Sequence, residues 1–371
     1  MSPSFVPLVS RAGAQALRLP TVSRCWHLSS PDGAAGLREG DMAVPALRGL
    51  GDVLVWVRTA SINPLDSAMA RGYGRLALGG LRAAARELYS CSSPGPLVLG
   101  RDFSGEVVAV GRGVAGLQPG DAVWGAVHPA STGCHAQYWV GNQACLGPAP
   151  HNLSWTEAAS IPYAGLTAWA ALRAGLASGT GKAVVLGAGG GVGRLALQLL
   201  ARHHGWEVIA VAREDCRAEV EAAGAVRLLD YTAPDHAVQL AGLPPQDLVL
   251  DCAGLGETSF YLKRLLRPRG NLVTLTSPVL ANTDRLGILP GAAASLASLA
   301  TLNLPLLPSA TSLRWAFFTT DRPALEQLRE LAESGLLRPA VTRVFPFCQM
   351  VEAFREAERG HSRGKIVVEV E

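Results

Sequence analysis

Residues 182–200, KAVVLGAGGGVGRLALQLL, combine the residue types that can bind an anion at a turn of backbone. Ala183, Val184, Val185 and Leu186 are short and apolar, as a buried parallel strand requires, and they run into glycines able to make a turn closed to other residues. Leu195, Leu199 and Leu200 then recur at helical spacing. A helix beginning near Val192 aims its first N–H groups and its positive dipole end at whatever lies over Gly189, Gly191, Val192 and Gly193, and a pyrophosphate suits that place. The strict G-x-G-x-x-G order is absent, but an alanine-first variant fits at Ala188, Gly190 and Gly193. A strand-to-helix turn that binds nothing is the alternative, and the flanks bear on the choice.

A second short apolar strand, residues 207–212, ends about twenty residues past the glycines, where an acidic side chain would hold an adenosine 2′-hydroxyl. Arg213 stands there instead. A guanidinium cannot accept from a ribose hydroxyl but can fork onto a phosphate, which favours the 2′-phosphate of NADP. Glu214 and Asp215 follow at once and keep NAD open, while Arg217 and Tyr231 are candidates to complete the pocket. The plainer reading of Arg213 is a solvated cation at a strand end.

The elements that would position this unit have two textures. Residues 52–60, DVLVWVRTA, alternate like a half-buried strand, and glycine-punctuated β segments follow at 102–110 and 121–127. Beyond Trp155, helical stretches at 155–172 and 219–224 alternate with short apolar strands, including 248–252 and 271–275, which implies a parallel, doubly wound sheet. A helix at 323–334 closed by Gly335 and a final strand at 365–370 complete the pattern. The expected class is α/β, and 371 residues with 49% hydrophobic and 17% charged side chains suffice for two packed domains.

The formal net charge is +3, and without Arg11, Arg18 and Arg24, which precede the first acidic residue, basic and acidic side chains balance at 30 each. Such a chain offers no basic face to nucleic acid. The opening segment carries arginines, serines and alanines and no acid before Asp32, so residues 1–28 read as a mitochondrial transit peptide, with a disordered tail as the alternative. Seven scattered cysteines without a C-x-x-C pair argue against a disulfide framework and a structural zinc cluster. Residues 286–307 are apolar enough to evoke a membrane span, but Gly287, Pro290, Asn303 and Pro305 interrupt them, so a buried helix or an apolar loop lining a pocket is expected.

Seven separated motifs, SINPLD (61–66), LGRDFSGEV (99–107), PGDAVW (119–124), AASIPYAGLTAW (158–169), GAGGGVG (187–193), RWAFF (314–318) and RGHSRGKIVVEV (359–370), resemble the zinc-free quinone oxidoreductase branch of the medium-chain dehydrogenase/reductase family. The resemblance implies a GroES-like β domain built from residues 29–155 and 321–371, a Rossmann domain over 156–320, and NADPH in the cleft between them. It places the phosphates on Gly189, Gly191, Val192 and Gly193, and the 2′-phosphate on Arg213 and Tyr231. Leu275, Ala316 and Phe318 would lie toward the nicotinamide, with His361, Ser362 and Arg363 closing the site. It also implies a reticulon-type membrane partner and a homodimer formed near RWAFF. Family members carry an extra strand pair before the segment at Asp52, and residues 29–50 read as a short, glycine-rich replacement that would leave the substrate rim incomplete.

Zinc-dependent members need a Cys and a His–Glu pair, and the matching segment here reads Gly100, Arg101, Asp102, so no catalytic zinc is expected. His128, Cys134 and His135 have no metal-binding spacing. Without a metal to stabilise an alkoxide, reduction of a quinone or activated alkene is the favourable direction. By resemblance Asn63 would turn its amide into the cleft, Asp66 would brace the loop, Tyr73 would line the substrate side and Thr167 would lie near the nicotinamide. Asn63 and Asp66 also read simply as turn and cap, and Tyr163 as a proton donor or, more simply, a buried ring. Three functions follow as expectations: a mitochondrial NADPH-dependent quinone or enone reductase linked to ubiquinone metabolism, an NADPH-binding interaction protein of little turnover, or an enoyl-thioester reductase.

Overall fold

The computed structural model describes residues 6–7, 18–88, 96–176, 179–360 and 363–370. Short strands β1 (Val6–Pro7) and β2 (Arg18–Leu19) pair with each other. Strand β3 (Val22–Leu28) lies between β4 (Leu37–Ala43) and β6 (Leu97–Val98) in a three-stranded sheet. This corrects two expectations. Residues 22–28 belong to the folded domain, with Cys25 and Trp26 buried and all seven residues in antiparallel register with β4, so a presequence cannot extend to residue 28 without removing a strand. The strand pair that residues 29–50 were expected to lack is also present, formed by β3 and β4.

The larger sheet of the first domain centres on β5 (Asp52–Ile62), which pairs with both β7 (Asp102–Val110) and β9 (Tyr138–Asn142). Strand β8 (Ala122–Ala126) joins β7, and β10 (Leu146–Pro148) joins β8. The C-terminus closes the sheet. Strand β17 (Val341–Pro346) runs parallel to β18 (Lys365–Glu369), and β18 lies antiparallel to residues 59–62 of β5. Val53, Val55, Val57, Phe103, Phe354 and Val368 fill this core, all at most 1% exposed.

The second domain is a six-stranded, wholly parallel sheet of β11 (Lys182–Leu186), β12 (Glu207–Ala212), β13 (Arg227–Asp230), β14 (Gln246–Asp251), β15 (Leu266–Thr274) and β16 (Ser312–Trp315), in the order β13-β12-β11-β14-β15-β16. The order reverses between β11 and β14, and in doubly wound sheets ligands bind at such a reversal, beyond the carboxyl ends of the strands. The expected helix over 155–172 is two helices, Trp155–Ala159 and Pro162–Gly175. Pro162 explains the break, since it cannot donate its missing N–H to a continuing ladder.

The apolar stretch at 286–307 departs from expectation. It forms the helix Ile288–Asn303 and a short 3₁₀ continuation, Leu304–Ser309, and most of it faces solvent, with Leu289 81% exposed and Leu296 66% exposed. It is therefore neither a buried helix nor a pocket lining. Among the described residues Ile288–Ser309 is the one helix long and apolar enough to cross a membrane.

Candidate active site

A cleft of about 750 Å³ lies at the strand-order reversal, lined by the glycine turn on one side and by Ile62, Asn63, Pro64 and Ser67 of the first domain on the other. The helix Gly191–Gln198 starts directly from the turn. Its first ladder bond runs from the Arg194 N–H to the Gly190 carbonyl, 2.9 Å, so the preceding N–H groups have no acceptor within the helix. The turn tolerates no side chain at Gly193, where a Cβ would lie 2.2 Å from the Gly187 carbonyl oxygen. An exposed row of N–H groups at a helix start, with room above it, fits a dinucleotide pyrophosphate.

At one end of the cleft Asp215 collects two arginines. Its Oδ2 accepts from Arg363 Nη2 at 2.7 Å and is paired with Arg213 Nη2 at 3.2 Å, and Tyr231 lies alongside. Asp215 thus holds two guanidinium groups together at this end of the cleft. Arg217, expected to complete this pocket, is turned away: it grips Glu214 at 2.5 and 2.8 Å and Glu221 at 2.9 Å and lines no part of the cleft. The same fork occupies the Glu214 carboxylate and, as its first cause, lowers the pKa of that group.

At the other end two buried acid–base pairs underlie the cleft. Asp66, fully buried, accepts the N–H of Asn63 at 3.0 Å, the N–H of Gly100 at 2.8 Å and Arg101 Nε at 3.3 Å. Arg101, also fully buried, spends its remaining donors on the carbonyls of Val98, His128 and Ser131. The second pair is Asp102 and Lys365, 3.4 Å apart. Asp102 also accepts from the Ser61 hydroxyl, from Asn63 Nδ2 at 3.0 Å and from the Tyr163 N–H at 3.3 Å. Lys365 Nζ donates to Asn63 Oδ1 at 2.5 Å. Asn63 is therefore 2% exposed and engaged at both its amide nitrogen and its oxygen, with the amide turned to Asp102 rather than into the cleft.

Among the expected site residues, the cleft gathers Asn63, Gly189, Gly191, Val192, Gly193, Arg213, Tyr231 and Arg363. Asp66 lies beneath it. Tyr73, Thr167, Leu275, Ala316 and Phe318 are not among its walls. The Thr167 hydroxyl donates to the Tyr163 carbonyl of its own helix, 2.7 Å, and Phe318 stacks on Tyr163 with ring centroids 4.3 Å apart. Burial first, and the nearby Asp66 next, push the Tyr163 phenol far up, which fits a buried ring better than an acid. Ala316 lines a separate hollow of about 360 Å³ with Trp169 and Arg173. His361 and Ser362 lie outside the described residues. Lys365 escaped the sequence reading, while Arg101 entered it only as part of the segment that lacks a His–Glu pair and Asp215 only as an acid that keeps NAD open. One signal was available for the first: of 33 cationic side chains only Lys182, Lys263 and Lys365 are lysines, and Lys365 opens an otherwise apolar strand.

Two family profiles match the chain, alcohol dehydrogenase GroES-like domain over residues 49–169 and zinc-binding dehydrogenase over residues 223–368. Both belong to the medium-chain dehydrogenase/reductase family, and so does this chain. A mouse relative, "NAD(P)H oxidoreductase RTN4IP1, mitochondrial", is 38% identical over 336 residues, 89% of this chain and 84% of its own length. The chain is a mitochondrial member of that NAD(P)H oxidoreductase group. A tomato 2-methylene-furan-3-one reductase is 28% identical over 98% of this chain and 86% of its own length. The solved quinone oxidoreductase of Coxiella burnetii superposes with a TM-score of 0.77 at 26% identity, covering 94% of this chain and 100% of that one.

The second profile's name raises the question of zinc, and the residues present do not suit it. Asp102 stands in the segment matching the His–Glu pair of zinc-dependent members, but four donors already occupy it, one of them the Lys365 ammonium. Cys134 Sγ donates to the Asp102 carbonyl at 3.2 Å, and burial pushes its thiol well up, away from the thiolate a metal would need. Among the described residues no group of three or more His, Cys, Asp or Glu side chains could hold an ion.

Proposed function

We propose that the protein is an NADPH-dependent, zinc-independent reductase of quinones or related enones in mitochondria, with ubiquinone metabolism as its setting. The observation that carries this reading is the cleft itself, with two arginines clasped by Asp215 at one end and a charge-paired floor at the other. When bound, the reduced nicotinamide supplies hydride. The glycine turn holds the pyrophosphate, Arg213, Arg363 and Tyr231 take the 2′-phosphate, and Asn63 and Ser67 border the substrate end. The name of the tomato relative fits an enone and that of the Coxiella protein fits a quinone. A homodimer through β16, an edge strand of its sheet, belongs to the same proposal, as does a cleavable presequence shorter than residues 1–28.

Stopped-flow oxidation of NADPH against a panel of short-chain quinones, enones and acyl-thioester enones tests the reading, with NADH alongside. Quinones or simple enones should turn over fastest, and Arg213→Ala should reduce the preference for NADPH over NADH by about tenfold or more, the loss of one charge-assisted contact. Faster turnover of an acyl thioester would make the protein an enoyl-thioester reductase. Tight NADPH binding with no turnover of any acceptor would favour the second reading, an interaction protein for a reticulon-type membrane partner. That reading draws on a nematode relative named "Reticulon-4-interacting protein 1, mitochondrial" and on the exposed apolar face of Ile288–Ser309. The strand pair β3–β4 removes the earlier ground for expecting an incomplete rim.

A further inference from the structure

Lys365 is 5% exposed, lines the cleft and has two acceptors for its three ammonium N–H groups, Asn63 Oδ1 and Asp102 Oδ2. Its stem crosses the glycine turn, since a Cβ at Gly191 would lie 2.9 Å from Lys365 Cδ, and the ammonium continues beyond the turn to two residues of the first domain. It therefore sits off the phosphate cradle and against the substrate end, bordered by Asn63, Pro64 and Ser67. The chain uses arginine for nearly every other cation, so a lysine here answers a need for a compact point charge that a planar five-donor fork would not meet.

The geometry points to Lys365 as a catalytic residue, an ammonium fixed by Asn63 and Asp102 whose third N–H donates a hydrogen bond to the carbonyl oxygen of the quinone or enone being reduced. This deepens the reductase reading and rests on it. Hydride transfer brings two electrons to the acceptor and leaves negative charge gathering on that oxygen. Lys365 keeps its proton and stabilises the charge, while water delivers the proton that completes the product. Overall, NADPH and one proton convert the quinone to hydroquinone and release NADP⁺. A monovalent side-chain cation would thus serve the polarising role that zinc serves in the metal-dependent members. Being fixed in advance, it needs no reorganisation as charge develops.

The test measures NADPH affinity by fluorescence titration and single-turnover NADPH oxidation at saturating cofactor, on the full chain and on Lys365→Met, Lys365→Arg and the double variant Asp102→Asn/Lys365→Met. The double variant removes both buried charges together, so folding does not depend on an unpaired one. Lys365→Met and the double variant should lose about 100-fold or more in hydride-transfer rate, as for removal of an oxyanion donor, with NADPH affinity within about threefold of wild type. Lys365→Arg should recover part of the rate. A wild-type rate in either methionine variant would overturn the inference. So would a tenfold or greater loss of NADPH affinity with an unchanged rate at saturation, which would make Lys365 a phosphate ligand. An active wild type in those outcomes leaves the reductase reading standing, whereas a wild type that binds NADPH and reduces nothing sinks both.

Discussion

The glycine turn and the floor of the cleft face each other across a single cavity, yet they are assembled differently. Gly187, Gly193 and Arg213 come from one strand–turn–helix–strand unit whose shape is set by backbone geometry. Asn63, Asp102 and Lys365 come from three strands or strand ends of the other domain, and their shape is set by charge pairing out of water. Local backbone geometry makes the first region insensitive to distant changes. The second depends on every partner being present, because a buried ion pair missing one member leaves an uncompensated charge.

Asp102→Asn should break this contrast most strongly. It leaves the Lys365 ammonium buried without its counter-charge, and about 3–5 kcal/mol of stability should go, read as a shift of the urea midpoint at constant slope. A loss below about 1 kcal/mol would mean that water reaches the pair. Gly193→Ala acts on the other region: its Cβ would meet the Gly187 carbonyl oxygen at 2.2 Å, so the turn must open. NADPH affinity should fall about 100-fold, roughly 2.7 kcal/mol, with the floor undisturbed. Calorimetric titration showing wild-type affinity would remove the turn from the binding site.

The smallest effect sharpens the account of the floor. His135 is fully buried beside Gly100, and burial above all pulls its imidazole below the ordinary value, against an opposing pull from Asp66. With the folded pKa below the unfolded one, the unfolded chain takes up a proton that the fold refuses. This stability is present above about pH 6.5 and is lost as pH falls below it, by at most about 1.4 kcal/mol per unit. His135→Gln should flatten the fall of the urea midpoint between pH 6.5 and 5, and an unchanged slope would assign it to another group.

The same contrast explains what the sequence disclosed. The glycine turn, Arg213 and the parallel order of strands are written in contiguous residues, where spacing and residue type carry the geometry. Lys365 meets Asn63 across 302 residues only because β18 pairs with β5, and no periodicity in either segment announces that pairing. Arg217 looked like a phosphate ligand until its neighbours Glu214 and Glu221, about one helical turn away on either side, captured it. Strand β3 was hidden by arginine-bearing composition that suits a presequence, although its alternate burial of Ser23 and Cys25 against exposed Val22 is ordinary for a sheet. The helix Ile288–Asn303 misled in the opposite sense, because apolar residues usually mark a core and here they mark a surface.

Strand β18 lies inside its sheet, between β5 and the edge strand β17, although the whole parallel-sheet domain separates it in sequence from β5. A ribosome therefore delivers every strand of the Rossmann sheet while the sheet of the first domain still lacks β17 and β18. A chain that enters an organelle amino end first completes its reactive chamber only after Lys365 and Ile366 have arrived. Deleting residues 365–369 would leave β17 without its only strand partner among the described residues and bare the edge of β5 that β18 covers.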